Sequence, residues 1–71
     1  MNVGFYIGIV LNANPQGQTL TGLVREMRKL SEDLRRMHFW ELCQETIQLL
    51  QQMMDDGLVI RINRRFFLAD Q

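Results

Sequence analysis

The sequence predicts one small α+β domain, mostly helical, closed by a C-terminal two-stranded β-hairpin. Three observations predict it. The chain has 71 residues, of which 46% are hydrophobic, enough for one domain with one core. Between a proline turn at Asn14-Pro15-Gln16-Gly17 and Gly57, apolar residues recur at helical spacing. After Gly57, two β-rich runs flank a short polar pair, which is a hairpin signal.

The first segment, Met1 to Ala13, fits two readings. Val3, Phe5, Ile7, Ile9 and Leu11 alternate as in a strand, whereas Val3, Ile7, Val10 and Leu11 share one helical face. Gly4 and Gly8 weaken both. The segment ends in a turn: Asn at the first position, Pro at the second and Gly at the fourth form a type I signature.

The next helix is expected from about Thr21 to Met37, capped by Thr19 or Thr21. Leu23, Met27, Leu30, Leu34 and Met37 are spaced four, three, four, three, which draws one apolar face. Arg25, Arg28, Lys29, Glu32, Asp33, Arg35 and Arg36 take the remaining positions. The following helix, about Phe39 to Asp56, uses a different phase. Its apolar set is Phe39, Leu42, Cys43, Thr46, Leu49, Leu50 and Met53. Continuing the earlier phase would place Glu41, Gln44, Gln48 and Gln51 in the core. One rod of about 36 residues would span ~54 Å, so a bend or break near His38 is preferred over an unbroken helix paired in a dimer. Gly57 then stands where a C-cap glycine belongs. Leu58-Val59-Ile60-Arg61-Ile62 and Arg65-Phe66-Phe67-Leu68 flank Asn63-Arg64. Asn63 tolerates the left-handed backbone of a tight turn better than Arg64 does, and a one-residue slip in register would exchange the two faces.

In order and punctuation these elements resemble the winged helix-turn-helix family. The likeness rests on Leu49-Leu50-Gln51-Gln52-Met53-Met54-Asp55-Asp56-Gly57-Leu58-Val59 with Arg65-Phe66-Phe67-Leu68, which resemble the end of a recognition helix and its wing. Asn14 to Leu23 resembles the usual entry to the second helix. The resemblance covers most of the chain. It implies a three-helix domain with a two-stranded wing, and it resolves the first segment as helix. One departure stands out: Ser31 to Glu45 is one to two turns longer than the family's usual spacing. Either the second helix is extended or a small extra element sits there.

Composition excludes several functions. Eight Lys+Arg balance eight Asp+Glu, so no overall basic excess points to nucleic acid. The balance is uneven along the chain. Residues 57–71 hold three arginines and one acid, whereas residues 38–56 hold four acids (Glu41, Glu45, Asp55, Asp56) and no Lys or Arg. Cys43 is the only cysteine, so no internal disulfide staples the domain, which favours a reducing cytoplasm. Cys43 and His38 are too few for a zinc site. Five residues apart on a helix, they lie on different faces and do not form a nucleophilic pair. No cofactor or enzymatic activity is expected. The stretch Phe5 to Leu11 is too short to span a membrane and lacks a basic leader.

The resemblance implies double-stranded DNA as the partner and a homodimeric transcriptional regulator, of the kind carried by a phage or plasmid. Arg61, Asn63, Arg64 and Arg65 of the wing, Arg35, Arg36 and His38 of the helix junction, and Gln44 and Gln48 of the third helix are the DNA-binding candidates. Cations meet phosphates, and amides or guanidinium groups read base edges. The alternative is a winged-helix module that docks on a partner protein through Phe39, Trp40 and Met54. Adjacent aromatics cannot both face one core, and tryptophan is enriched among interface anchors.

Overall fold

The computed structural model describes residues 2–69. Among them are four helices and a three-stranded antiparallel sheet, so the domain is α+β and mostly helical. The elements in order are α1 (Val3–Ala13), β1 (Gln18–Thr19), α2 (Leu20–Leu30), α3 (Glu32–Arg36), α4 (Phe39–Asp55), β2 (Val59–Ile62) and β3 (Arg65–Leu68). Strand order is β1-β3-β2. This exceeds the expected three helices and two strands by one of each.

The first segment is a helix. Asn2 accepts from the Phe5 amide, and Val3, Ile7, Val10 and Leu11 are buried, as the helical reading required. The proline turn forms, with the Gly17 amide donating to the Asn14 carbonyl at 2.9 Å. Gly17 has φ +85°, a conformation that carries little penalty only without a Cβ. The turn delivers Gln18 and Thr19 to β3, where they pair with Phe66 and Arg65.

The expectation for α2 needs correction. It is capped by Thr19, whose hydroxyl accepts from the Gly22 amide, but it ends at Leu30 rather than Met37. Ser31 breaks it and caps α3 by accepting from the Leu34 amide. Glu32 and Asp33 complement the positive end of that short helix. The supposed continuous face is therefore divided. Leu34 is buried from α3, while Leu30 is 50% exposed. Within the long stretch from Ser31 to Glu45, Glu32–Arg36 thus form a small separate element.

The break at His38 is present. His38 caps α4, its Nδ1 accepting from the Trp40 amide at 3.3 Å. Leu42, Cys43, Thr46 and Leu50 of α4 are buried, and Phe39, Leu49 and Met53 pack beside them. Thr46 enters this core with its hydroxyl lacking a hydrogen-bond partner. At the far end, the Gly57 amide donates to Met54 and the Leu58 amide to Met53, the paired bonds of a Schellman cap. The hairpin pairs Ile62 with Arg65 and Val59 with Leu68 across a two-residue turn. Asn63 takes the left-handed conformation at φ 57°, and Arg64 does not. Val59 and Phe66 close the core from the sheet, whereas Ile60 and Ile62 face outward.

Candidate nucleic-acid interface

The sequence candidates do not share one environment. Arg65 is a structural ligand, because its Nη1 donates to the Gly17 carbonyl at 2.9 Å and ties β3 to the proline turn. Arg61 lies over the Phe66 ring, 5.9 Å from its centroid, and its Nε donates to the Asn63 carbonyl at 2.8 Å. Arg64, at the wing turn, is exposed and makes no hydrogen bond or ion pair among the described residues. Arg36 pairs with Glu32 on an exposed surface, a contact worth little by itself. His38 holds the start of α4.

Sequence reasoning named Arg35 as a candidate but not the three cations that gather round it. Arg25, Arg28 and Lys29 of α2 meet Arg35 of α3 around one shallow depression. The chain itself builds this meeting. Arg28 Nη2 donates to the Arg35 carbonyl at 3.0 Å, and Arg35 Nη1 donates back to the Arg28 carbonyl at 2.9 Å and the Lys29 carbonyl at 3.3 Å. Each guanidinium satisfies carbonyls at the C-terminal end of the other helix, which would otherwise be unpaired. The Arg28 guanidinium also lies 5.6 Å from the Phe39 ring centroid. Of the cluster, Lys29 has a carboxylate partner, Glu26 at 2.7 Å. Arg25 is exposed and has none among the described residues.

A second, separate groove lies beside the hairpin. Its walls are the N-terminal turn of α2 (Thr19, Leu20, Thr21), one side of α4 (Ile47, Leu50, Gln51, Met54) and the wing (Arg61, Arg64, Phe66). The groove and the basic depression share no lining residue; Thr21 of the one and Arg25 of the other are one helical turn apart on α2.

The phase of α4 decides what it presents there. At roughly 100° per residue, Trp40, Ile47 and Met54 form one stripe with Gln44 and Gln51 beside it. Gln48 follows next round the axis. Glu41 and Asp55, each seven residues from Gln48, share its stripe, and Glu45 and Asp56 fall on the farther flank. Asp55 sits beside Gln51, whose Nε2 donates to it at 3.3 Å. Glu45 and Asp56 are therefore turned away from the groove, whereas Glu41 and Asp55 flank Gln48. Trp40 is 63% exposed and Ile47 48% exposed. The expected separation of the two aromatics holds. Phe39 packs on the core while Trp40 stands outside, the rings edge to face at 5.2 Å. Phe39 is thereby a core residue more than an interface one.

Cys43 is buried and free. Burial pushes its thiol up, and nearby Arg28 offsets part of that rise. It stays protonated at neutral pH and is a poor nucleophile. Among the described residues no cluster of three metal-ligating side chains exists, and no helix is long and apolar enough to cross a membrane. Compared with known proteins, the chain matches no family model, no curated protein and no solved structure.

Proposed function

We propose that this chain is a winged helix that binds double-stranded DNA, with β2 and β3 as the wing and α4 as the helix lying in the major groove. The element order α1-β1-α2-α4-β2-β3 and the strand order β1-β3-β2 support the fold reading, with α3 as an insertion. The observation that carries the functional reading is two cationic groups linked by α2: Arg25, Arg28, Lys29 and Arg35 around one depression, and Arg61 and Arg64 at the groove beside the start of α2. Between them α4 offers amides at Gln44 and Gln51, with Glu45 round the helix and Glu41 and Asp55 on the stripe of Gln48. The flanking cations would hold phosphates and set the register. Gln44 and Gln48 would read base edges, with Asn63 at the wing turn. A regulator of transcription is the role such a module would serve.

A fluorescent-duplex titration at varied salt tests this. Neutralising about four to six phosphates gives a slope of log K against log salt of roughly −4 to −5. Micromolar protein that is folded by circular dichroism, yet leaves a duplex unbound at low salt, would sink the proposal.

The reading includes a homodimer through α1. No charged residue occurs before Arg25. Phe5, 59% exposed, and Ile9 lie on the side of α1 away from the core, with open space beside Gly8. A symmetric contact there brings no like charges together. Sedimentation is expected to return twice the chain mass, and Phe5→Arg the mass of one chain. A monomeric parent protein removes this part.

A second reading has its own observation. Exposed Trp40 and Ile47, with half-buried Met54 on the same stripe, give an apolar anchor line of the kind that protein interfaces use. In that case α4 docks on a partner protein and the basic cluster is only a solvated surface.

A further inference from the structure

We infer that the groove between α2, α4 and the wing is a binding site for a small amphipathic organic anion: an aromatic or alkyl body carrying one carboxylate or sulfonate. The cavity measures about 490 Å³, within the usual range for small-molecule sites. Its lining separates into two chemistries. Ile47, Leu50, Met54 and Phe66 supply apolar wall, while Arg61 and Arg64 stand on the wing side, and no carboxylate lines it.

The cationic side is organised before any ligand arrives. Arg61 lies over the Phe66 ring, 5.9 Å from its centroid, and is anchored through Nε to the Asn63 carbonyl. Its terminal amino groups are in no hydrogen bond among the described residues. A guanidinium fixed this way loses little freedom on meeting an anion. The first turn of α2, at the same mouth, carries no acidic residue and adds its partial positive charge. The site thus rewards an apolar body and a single negative group together. A neutral hydrocarbon would leave the arginines without a partner, and a hydrophilic anion would leave Ile47 and Met54 wet. The groove is walled on three sides and ends at the wing, so it suits a compact molecule better than a long peptide.

The consequence rests on the DNA-binding reading. Arg61, Arg64 and Gln51 would be shared between ligand and duplex, so the ligand would release DNA by competition.

The test uses anilinonaphthalene sulfonate as the probe, with the uncharged phenylnaphthylamine as its comparison. Fluorescence titration of the intact chain is expected to show saturable binding of the sulfonate, weakened about tenfold by Arg64→Gln through loss of a charge-assisted contact. Ile47→Gln is expected to weaken it by a similar factor, about tenfold. Both positions are exposed, so both variants keep the parent circular dichroism and thermal midpoint. Phenylnaphthylamine should bind more weakly and ignore Arg64→Gln. Ile62→Gln, on the other face of the wing, should change neither probe. Equal affinity of the sulfonate for the parent, Arg64→Gln and Ile47→Gln overturns the proposal, as does a loss confined to Ile62→Gln. Tighter binding of the neutral probe overturns the anion specificity. These arms use no DNA, so failure of duplex binding would leave them standing, and their failure would leave the duplex titration unaffected.

Discussion

Gly17→Ala is expected to destabilise the domain by about 3 kcal/mol, lowering its thermal midpoint by roughly 15 °C. Two effects combine. At φ +85° any side chain is strained, and a Cβ here would stand 2.5 Å from one Phe67 ring carbon and 2.6 Å from another. Phe67 is held at its backbone by the pairing with Ile60, so the clash is relieved only by turning its half-buried ring or shifting the turn. The Gly17 carbonyl also accepts from Arg65, so a shift of the turn costs that bond as well. Gly57→Ala is the internal comparison. Gly57 has φ +76° but nothing within 4 Å of its Cβ direction, so only the conformational penalty of about 1 kcal/mol applies. Thermal denaturation by circular dichroism measures both. Equal midpoints for the two variants would mean that Phe67 does not pack on the turn as described. A core of this size supplies ~3–5 kcal/mol, so the Gly17 variant should be substantially unfolded at physiological temperature.

That turn was legible in the sequence because its causes are local: an asparagine, a proline and a glycine at fixed offsets. The same holds for the Gly57 cap, the Asn63 turn and the phase of α4. The elements that sequence reading missed have causes elsewhere in the chain. β1 is two residues long and is a strand only because β3 lies beside it. The end of α2 was misread because Leu30 and Leu34 continue a helical spacing across a break. A signal for the break was nonetheless present, since Ser31 followed by Glu32 and Asp33 is an N-terminal capping pattern.

The site divides in the same way. Arg61 and Arg64 were found because a hairpin turn exposes its own arginines. Arg65 has the same residue type one position further on, yet alternation turns it toward Gly17, and long-range geometry alone reveals that task. Arg25, Arg28 and Lys29 were read as the solvated remainder of α2. They become a cluster because α3 folds back and sets Arg35 among them through reciprocal bonds spanning seven residues. No spacing rule for a single helix contains that arrangement. The zero formal charge concealed it, because carboxylates on the far flank of α4 cancel in the sum but not at the surface.

Replacing Arg25 and Arg64 together by alanine is expected to weaken duplex binding about a hundredfold near 0.1 M salt, about tenfold from each, and to flatten the salt slope by about two. These two residues are the informative ones because neither is in a hydrogen bond or ion pair among the described residues. Removing Arg28 or Arg35 would unpair carbonyls at the α2–α3 joint, and removing Arg65 would free the proline turn. A loss of binding there would mix folding with recognition. The double variant should keep the parent thermal midpoint, so that any change belongs to the surface. Arg→Lys at both positions should retain most of the slope, since counterion release counts charges rather than donor geometry. The two cations sit at separate sites, Arg25 at the depression and Arg64 at the groove, so their effects on log K should add within experimental error if one duplex spans both. A strong effect from Arg64→Ala with none from Arg25→Ala would confine binding to the wing and remove α2 from the interface. No effect from either, with duplex binding intact, would place the interface elsewhere. If the duplex does not bind at all and Trp40→Ala instead abolishes capture of a defined protein partner, the apolar stripe of α4 is the working surface.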